Sequence, residues 1–299
     1  MTGLVLVTGG AGFIGHHLVK ALVAQGRSVR VIDDLSTGWR VPGPCAQFMK
    51  ADVTERAREA VEGVELVYHL AANPSIANSM DNPRHSKSDS EATRAILVAA
   101  AAAKVRKVIF ASSCSIYGDL TNKGPQSPYA QSKLDGENYC RKFEREGRIK
   151  APVLRLFNVY GPGQSEEGTF VIPSMLKRLM EKKPVEITGD GHQTRDFIYI
   201  DDVIRAFIRS EWAALPEPVD VGTGKAISIH ELALMVKEIT GGGLRIEKSP
   251  SRPGESRHAE ADPRLLAREL GIWNPTALSV GLGKTFDWMK KNQLERVRS

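Results

Sequence analysis

The sequence is poor in cysteine and has no long apolar run. Its three cysteines, Cys45, Cys114 and Cys140, include no C-x-x-C pair, which argues against a disulfide framework or a zinc knuckle and favours a reducing compartment. The alanine-rich run 95–103 is about half as long as a membrane span, and the apolar stretch 4–7 is too short for a signal-peptide core. We therefore expect a cytoplasmic protein that binds no membrane.

An excess of one charge sign is also missing. Lys+Arg 41 against Asp+Glu 35 gives a net charge of +6, which favours anionic ligands without distinguishing nucleotides, nucleic acid or lipid. The 7 histidines show no metal-ligand spacing, so we predict no metal site. A content of 41% hydrophobic and 25% charged residues excludes disorder of the whole chain. The 299 residues suit one large α/β domain or two ordinary ones, and nothing indicates nucleic-acid binding.

Short β-rich runs alternate with helical patterns through the first half of the chain. They lie at residues 4–8, 28–33, 64–70, 105–113 and 153–157. Because strands buried on both faces are almost continuously apolar, this pattern predicts βαβ units and a parallel sheet. After about residue 158 turn residues interrupt shorter elements, among which Ser228 and Glu231 predict a capping box for a helix that Gly241 ends.

A glycine-rich segment, residues 8–15, follows the first predicted strand and leads into a helical pattern. Gly9, Gly12 and Gly15 are spaced for a tight bend, a close backbone approach to a pyrophosphate and close packing of helix on strand. The second predicted strand ends in Asp33, where a carboxylate can accept from a ribose 2′-hydroxyl and repel a 2′-phosphate. This context predicts NAD rather than NADP as cofactor; the alternative is a glycine turn without a ligand.

Tyr129 and Lys133 stand four residues apart in a helical stretch, so their side chains share one face. A tyrosine hydroxyl is a poor base at neutral pH unless cations stabilise its phenolate, and Lys133 together with an oxidised nicotinamide would do so. Alone, the pair would be interpreted as a helix-surface pair. After a dinucleotide fingerprint, and with Ser113 ending a strand upstream, the spacing predicts a proton shuttle.

These motifs belong to a longer series that resembles the extended short-chain dehydrogenase/reductase family. The similarity is to its nucleotide-sugar epimerases and dehydratases, and most of all to UDP-glucose 4-epimerases. Nine blocks appear in the family's order: TGGAGFIG, VIDDLSTG, ADV (51–53), HLAA (69–72), SSCSIYG (112–118), SPYAQSK (127–133), RLFNVYGPGQ (155–164), RDFIYIDDV (195–203) and RPGE…AD (252–262). The resemblance covers nearly the whole chain.

The resemblance implies a fold and a set of site residues. It implies a Rossmann doubly wound parallel sheet over residues 1–157, to which 194–226 returns, and a smaller C-terminal α/β substrate lobe over 158–299. The catalytic residues would be Ser113, Tyr129 and Lys133. The NAD-binding residues would be Gly9, Gly12, Phe13, Ile14, Gly15, Asp33, Asp34, Leu35, Ser36, Thr37, Gly38, Asp52, Val53, Leu70, Ala71 and Ala72, with Tyr129 and Lys133. The substrate residues would be Ser113, Asn158, Arg195, Arg252, Glu255 and Ala259.

Residues 114 and 115 bear on the reaction. Dehydratases of the family resemble one another in an Asp-Glu pair just before Val-Tyr-Gly, and the decarboxylases usually carry the Glu, whereas this chain has Cys114-Ser115 there. Without a carboxylate the elimination lacks its acid and base. The resemblance therefore implies NAD-dependent 4-epimerisation of a UDP-hexose through a 4-keto intermediate, in galactose metabolism. Alternatives are a UDP-glucuronate 4-epimerase, another nucleotide-sugar dehydratase or reductase, a net dehydrogenase, and a non-enzymatic NAD sensor on the same fold.

Five positions carry further expectations. Ala259, aligned with the residue beside the sugar C2 substituent, would leave room for an N-acetyl group, or it packs in the lobe. Arg195 would hold the nucleotide, or it forms a surface ion pair with Asp196. Cys114 is expected to act as a small buried hydrophobe rather than an acid or base, and His69 to be structural. Small side chains over 92–103 allow close helix approach, and the family resemblance implies a homodimer there.

Overall fold

The computed structural model describes residues 3–37, 46–73, 76–119, 123–166, 170–241, 243, 245–250 and 256–298. Its strands are β1 Leu4–Thr8, β2 Val29–Asp33, β3 Ala46–Lys50, β4 Val64–His69, β5 Lys107–Ser113, β6 Val153–Leu156, β7 Asn158–Tyr160, β8 Val185–Thr188, β9 Thr194–Tyr199, β10 Val219–Val221, β11 Ala226–Ser228, β12 Ile246–Ser249 and β13 His258–Ala259. Its helices are α1 Phe13–Ala24, α2 Val53–Ala60, α3 Ile76–Asp81, α4 Pro83–Ala102, α5 Pro128–Arg145, α6 Val171–Met180, α7 Ile200–Ser210, α8 Ile229–Thr240, α9 Arg264–Leu270 and α10 Leu278–Arg298, with a 3-10 helix at Cys114–Tyr117.

Seven strands form one parallel sheet in the order β10-β6-β5-β4-β1-β2-β3. The chain runs outward from β1 through β2 to β3 and then restarts at β4 on the other side. The order therefore reverses between β1 and β4, which is the switch point at which open α/β sheets bind ligands. The predicted fold class, a Rossmann doubly wound sheet with a smaller α/β part, is confirmed.

A smaller sheet is built around β9 from short strands of distant origin. β7 and β13 pair with β9 in parallel and β11 pairs with it antiparallel, while β8 and β12 form a separate parallel pair. Of the region predicted to return to the first domain, β10 joins the seven-stranded sheet, whereas β9 lies in the smaller one. The domain boundary at residue 157 stays a prediction.

Apolar residues cover both faces of the large sheet. On one face a buried cluster runs from Leu18 of α1 through Phe207 of α7 to Leu232 of α8, so the sheet and the smaller part share a continuous core. On the other face Ile96 of α4 packs with Phe110 and Cys140. This burial holds the carboxyl ends of the strands in fixed relation to one another. Within the described ranges, no helix is long and apolar enough to cross a membrane.

Candidate functional site

The glycine turn between β1 and α1 is held by contacts that leave no room for side chains. Gly9 has φ +69°, and a Cβ on it would lie 2.8 Å from the backbone nitrogen of Ala71. A Cβ on Gly15 would lie 2.1 Å from the carbonyl oxygen of Gly9. Gly12, which has no side chain, is the N-cap residue of α1. The first N–H groups of the helix therefore have no cap from this position, and a helix N-terminus of this kind attracts an anion.

Asp33 lies at the end of β2, where its buried carboxylate ties the glycine turn to the second strand. Its two oxygens accept from the backbone N–H groups of Ala11 at 2.9 Å and Leu35 at 2.8 Å. A carboxylate has about four acceptor positions, so each oxygen can accept again. Leu35 has φ +64°, a left-handed conformation that the sequence does not predict. The hydrogen bond from its N–H to Asp33 stabilises this conformation.

The other predicted cofactor residues lie at the carboxyl ends of neighbouring strands. Ala51, directly after β3, donates its N–H to the carbonyl of Asp33 at 3.1 Å, which places Asp52 and Val53 beside the end of β2. Asp52 caps α2 by accepting from the N–H of Thr54 at 2.6 Å. After β4 follow Leu70, Ala71 and Ala72, and after β2 follow Asp34, Ser36 and Thr37. Gly38 lies outside the described residues.

His69 is a buried connector between this edge of the sheet and α4. Thr8 Oγ1 accepts from the N–H groups of Leu70 and Ala71, both at 3.1 Å, so its single proton goes to His69 Nδ1 at 2.7 Å. His69 Nε2 then donates to Thr93 Oγ1 at 3.1 Å. Burial, together with the charge of Lys133, lowers the pKa of His69 to about 3. The imidazole is therefore neutral and structural.

Ser113, Tyr129 and Lys133 lie together at the carboxyl end of β5. Ser113 ends β5 and Tyr129 lies in the first turn of α5, and a hydrogen bond joins their side chains. Ser127 caps α5 by accepting from Ala130 N–H at 3.1 Å, which fixes the start of the helix. Lys133 Nζ donates to the carbonyl of Ala111 at 2.8 Å and lies 5.8 Å from the ring centroid of Tyr129.

Burial controls the charges of this cluster. It raises the pKa of Tyr129, which the hydrogen bond from Ser113 lowers and the charge of Asp89 raises. It lowers the pKa of Lys133 to about 8, against the charge of Asp89, which raises it. At neutral pH the tyrosine is therefore a neutral phenol beside an ammonium group. A phenolate at Tyr129 would be stabilised by that ammonium, and a further cation would stabilise it more.

Three of the predicted substrate residues meet on the smaller sheet. Ala259 of β13 is the register partner of Arg195 of β9, and Asn158 of β7 pairs with Phe197 two residues along β9. The amide of Asn158 donates to the carbonyl of Asp196 at 3.0 Å. Arg195 donates from Nη1 to the carbonyl of Thr194 at 2.8 Å. Arg252 and Glu255 lie outside the described residues.

Cys114 directly follows Ser113 at the end of β5 and lies near Arg195 of the smaller sheet. Burial raises the pKa of its thiol to about 12, and the nearby Arg195 guanidinium is the main influence that lowers it. Arg195 is thus within electrostatic reach of the residue that follows Ser113. A thiol protonated at neutral pH suits the expected role of a small buried group better than that of an acid or base.

Asp196 is a buried anchor that the sequence reasoning did not identify. Its carboxylate accepts from the N–H groups of Thr223 at 2.9 Å, Gly224 at 2.7 Å and Ala261 at 3.2 Å. These bonds tie β9 to the turn after β10 and to the segment after β13. The alternative expectation of a surface ion pair with Arg195 does not describe this carboxylate, which is 0% exposed.

Comparisons with known proteins show which family and which structures this chain is similar to. The model of the NAD dependent epimerase/dehydratase family matches residues 5–229. A putative UDP-glucose 4-epimerase of Methanocaldococcus jannaschii is 35% identical over 97% of this chain and 99% of that protein. The UDP-glucose 4-epimerase of Mycolicibacterium smegmatis is 34% identical over 95% of this chain and 98% of that protein. The crystal structure of the UDP-glucose 4-epimerase of Thermotoga maritima with UDP-glucose has a TM-score of 0.93 and 34% identity, covering 97% of this chain and 99% of that one.

Proposed function

The chain belongs to the NAD dependent epimerase/dehydratase family, and on that premise we propose that it is an NAD-dependent isomerase that inverts C4 of a UDP-hexose. The observation that carries the proposal is the cluster of Ser113, Tyr129 and Lys133 at the end of β5, followed by Cys114 and Ser115 instead of two carboxylates. The cluster can move a proton on and off a sugar hydroxyl. Residues 114 and 115 provide no acid-base pair for eliminating a second hydroxyl.

The residues at the sheet edge fit NAD. The close backbone contacts at Gly9 and Gly15 hold the turn tightly against the start of α1, and Gly12 leaves the N-terminus of that helix without a side-chain cap, so a pyrophosphate can approach its N–H groups. The spare acceptor positions of Asp33 suit an adenosine ribose with a free 2′-hydroxyl. When bound, NAD accepts a hydride from the sugar and later returns it, so that net redox is zero.

Tyr129 is the proposed acid-base residue. As phenolate, stabilised by Lys133, it takes the proton of the 4-hydroxyl while Ser113 donates a hydrogen bond to the same oxygen. A 4-keto sugar results, and it stays attached to the protein through its nucleotide. After the sugar has turned its other face to the cofactor, Tyr129 returns the proton to the 4-oxygen and the configuration at C4 is inverted.

Arg195 and Asn158 are proposed to hold the nucleotide diphosphate and uridine, together with Arg252 and Glu255. An arginine fork suits a diphosphate in geometry and charge. Ala259 lies next to Arg195 on the paired strand. The sugar of a nucleotide that Arg195 holds would therefore lie against the small methyl side chain of Ala259. We therefore propose that UDP-GlcNAc and UDP-GalNAc are accepted beside UDP-glucose and UDP-galactose.

A second candidate is the 4-epimerisation of a UDP-uronate. Ser115 supports it: two residues after Ser113, its buried hydroxyl has no hydrogen-bond partner within the described part of the chain. A free hydroxyl beside the sugar site can donate to a carboxylate at C5. UDP-galacturonate is therefore the substrate against which UDP-galactose is to be compared.

We also propose a cytoplasmic homodimer, acting in galactose metabolism, that associates through α4 and α5. α4 carries small residues along its second half and exposes Val98 among them. Small side chains let a second helix pair approach closely. Val98→Glu should shift the protein from dimer to monomer in light scattering, and a wild-type monomer would refute the proposal.

The decisive experiment incubates the purified protein separately with UDP-galactose, UDP-GalNAc and UDP-galacturonate and identifies the products. Tyr129→Phe should abolish turnover while NAD stays bound, and substrate should transiently raise the reduced-nicotinamide absorbance of the wild type. The matched control is Tyr139→Phe, which removes another hydroxyl from α5 and should leave turnover unchanged. A fully active Tyr129→Phe variant would contradict the mechanism.

A further inference from the structure

A row of polar side chains crosses three neighbouring strands just below Ser113. Ser112 on β5 is the register partner of Arg155 on β6, and Arg155 is the register partner of Asp220 on β10, the last strand of the sheet on that side. Register partners on parallel strands point to the same face of a sheet. The three side chains therefore stand side by side and lead from the centre of the sheet to its edge.

Hydrogen bonds make this row continuous. Glu137 of α5 accepts from Ser112 Oγ at 2.6 Å and from Arg155 at 2.9 Å through Nε and 2.7 Å through Nη2. Arg155 Nη1 donates to the hydroxyl of Tyr117 at 2.7 Å, and that hydroxyl donates to Asp220 Oδ1 at 2.6 Å. We call Ser112, Glu137, Arg155, Tyr117 and Asp220 the polar row.

The link through Tyr117 has a fixed direction. Its hydroxyl has one proton, which goes to Asp220, and it accepts from Arg155 with a lone pair. One guanidinium thus serves two carboxylates, directly at Glu137 and through the phenol at Asp220. Burial raises the pKa of the Asp220 carboxyl, and the hydrogen bond from Tyr117 lowers it. Ser112, Glu137 and Asp220 are buried, whereas the Tyr117 ring is 43% exposed. A chain of hydrogen bonds holds its members in one arrangement when every link is made.

The two ends of the polar row reach the two halves of the proposed active site. Glu137 lies four residues after Lys133, which lies four residues after Tyr129, so all three share one face of α5. At the other end Asp220 Oδ2 accepts from the backbone N–H of Asp262 at 3.2 Å. Asp262 follows Ala259 by three residues, in the segment 258–262.

We propose that Tyr117 is a positioning residue for the nucleotide sugar: acting through Asp220, it holds the segment 258–262 at a set distance from α5. The inference rests on the proposed function. Because the segment carries the proposed sugar contact and α5 carries the proton-transfer pair, a loosened row weakens substrate binding more than it slows proton transfer. KM for the UDP-sugar and Kd for UDP should therefore rise while kcat changes little.

The test compares wild-type holoenzyme with Tyr117→Phe, which keeps the ring and removes the hydroxyl. We expect roughly tenfold increases in KM for UDP-galactose and in the calorimetric Kd for UDP, a change in kcat below about twofold, and unchanged NAD content and melting temperature. Asp220→Asn leaves one acceptor oxygen for two donors, the Tyr117 hydroxyl and the Asp262 N–H, so it breaks one link of the same chain and should act alike. It serves if Tyr117→Phe folds poorly. The matched control is Tyr160→Phe. In the wild type the Tyr160 hydroxyl donates to the carbonyl of Leu278, outside the polar row, so its removal should leave the Kd for UDP unchanged.

A double variant separates coupling from local damage. Glu137→Gln combined with Tyr117→Phe should raise the Kd for UDP about as much as either change alone, because both break one chain. Additive effects, unchanged KM and Kd in Tyr117→Phe, or a fall in kcat at constant KM would each overturn the proposal. Wild-type protein that neither binds UDP nor converts a UDP-sugar would refute the proposed function instead, and that result is seen before any substitution is made.

Discussion

Replacing Lys133 by methionine should change how the stability of the protein depends on pH. Burial lowers the pKa of this lysine from 10.5 to about 8. Since one pKa unit corresponds to about 1.4 kcal/mol, the buried ammonium costs the native state about 3 kcal/mol at neutral pH. Methionine keeps the apolar stem, removes the charge and leaves the carbonyl of Ala111 without its donor at 2.8 Å.

The sign of the pH effect follows from proton binding. Between about pH 8 and 10.5 the unfolded lysine keeps its proton while the folded one has lost it, so wild-type stability rises with pH by about 1.4 kcal/mol per unit relative to Lys133→Met. Over that window the difference in free energy of unfolding should grow by about 3 kcal/mol. All other titrating groups contribute alike to both proteins and cancel.

The assay is urea unfolding followed by circular dichroism from pH 7 to 10.5, with both proteins at the same nucleotide content. Lys142→Met on the same helix is the control for the loss of a lysine, because the Lys142 side chain is 65% exposed and its replacement leaves the buried cluster untouched. A flat difference for Lys133→Met would refute the assignment of a depressed pKa. Lys133→Met should also lose epimerase activity, which makes the lysine a group kept for chemistry at the expense of stability.

Three further predictions concern the nucleotide side and the amino end of the sheet. Glu211→Gln should lower the free energy of unfolding by about 3–5 kcal/mol, because the carboxylate of Glu211 is 2% exposed and forms an ion pair with Arg27 at 2.9 Å. Denaturant titration measures the change, and a loss below about 1 kcal/mol would contradict the prediction. Gly15→Ala should abolish NAD retention, because the new Cβ would lie 2.1 Å from a carbonyl oxygen. Gly283→Ala, whose Cβ would have no atom within 4 Å, should retain NAD, and its free energy of unfolding should rise by about 1 kcal/mol. Asp33→Asn should weaken NAD binding and make the calorimetric Kd values for NAD and NADP more similar. An unchanged ratio of these two Kd values would exclude a contact between Asp33 and the ribose.

Elements with strong local signals could be predicted from the sequence. The apolar run 153–157 became β6 at 153–156, and the capping box of Ser228 and Glu231 is present with Gly241 in the left-handed conformation. β3 was missed, because an edge strand lacks the continuous apolar run of a strand buried on both faces. The left-handed conformation of Leu35 was not predicted either, since it is maintained by the side chain of a residue two positions earlier.

The candidate site was predictable where motif spacing determines geometry and not where strand register does. Tyr129 and Lys133 meet because four residues make one helical turn, which the sequence states directly. The polar row depends on the register of β5, β6 and β10, and no local pattern encodes which residues of three separate strands stand abreast. Asp196 was missed for the same reason, since its donors come from segments after β10 and β13.

The strands of the small sheet around β9 come late in the sequence, so on a growing chain the proposed sugar side of the site is completed after the proposed NAD side. Synthesis from the N-terminus first supplies the glycine turn and the ends of β1 to β4, and β10 at 219–221 then completes the seven-stranded sheet. β13 at 258–259 emerges last and only then brings Ala259 beside Arg195. A chain stalled or cleaved before residue 258 would thus have every strand of the large sheet and lack β13, the strand that we propose lies beside the sugar.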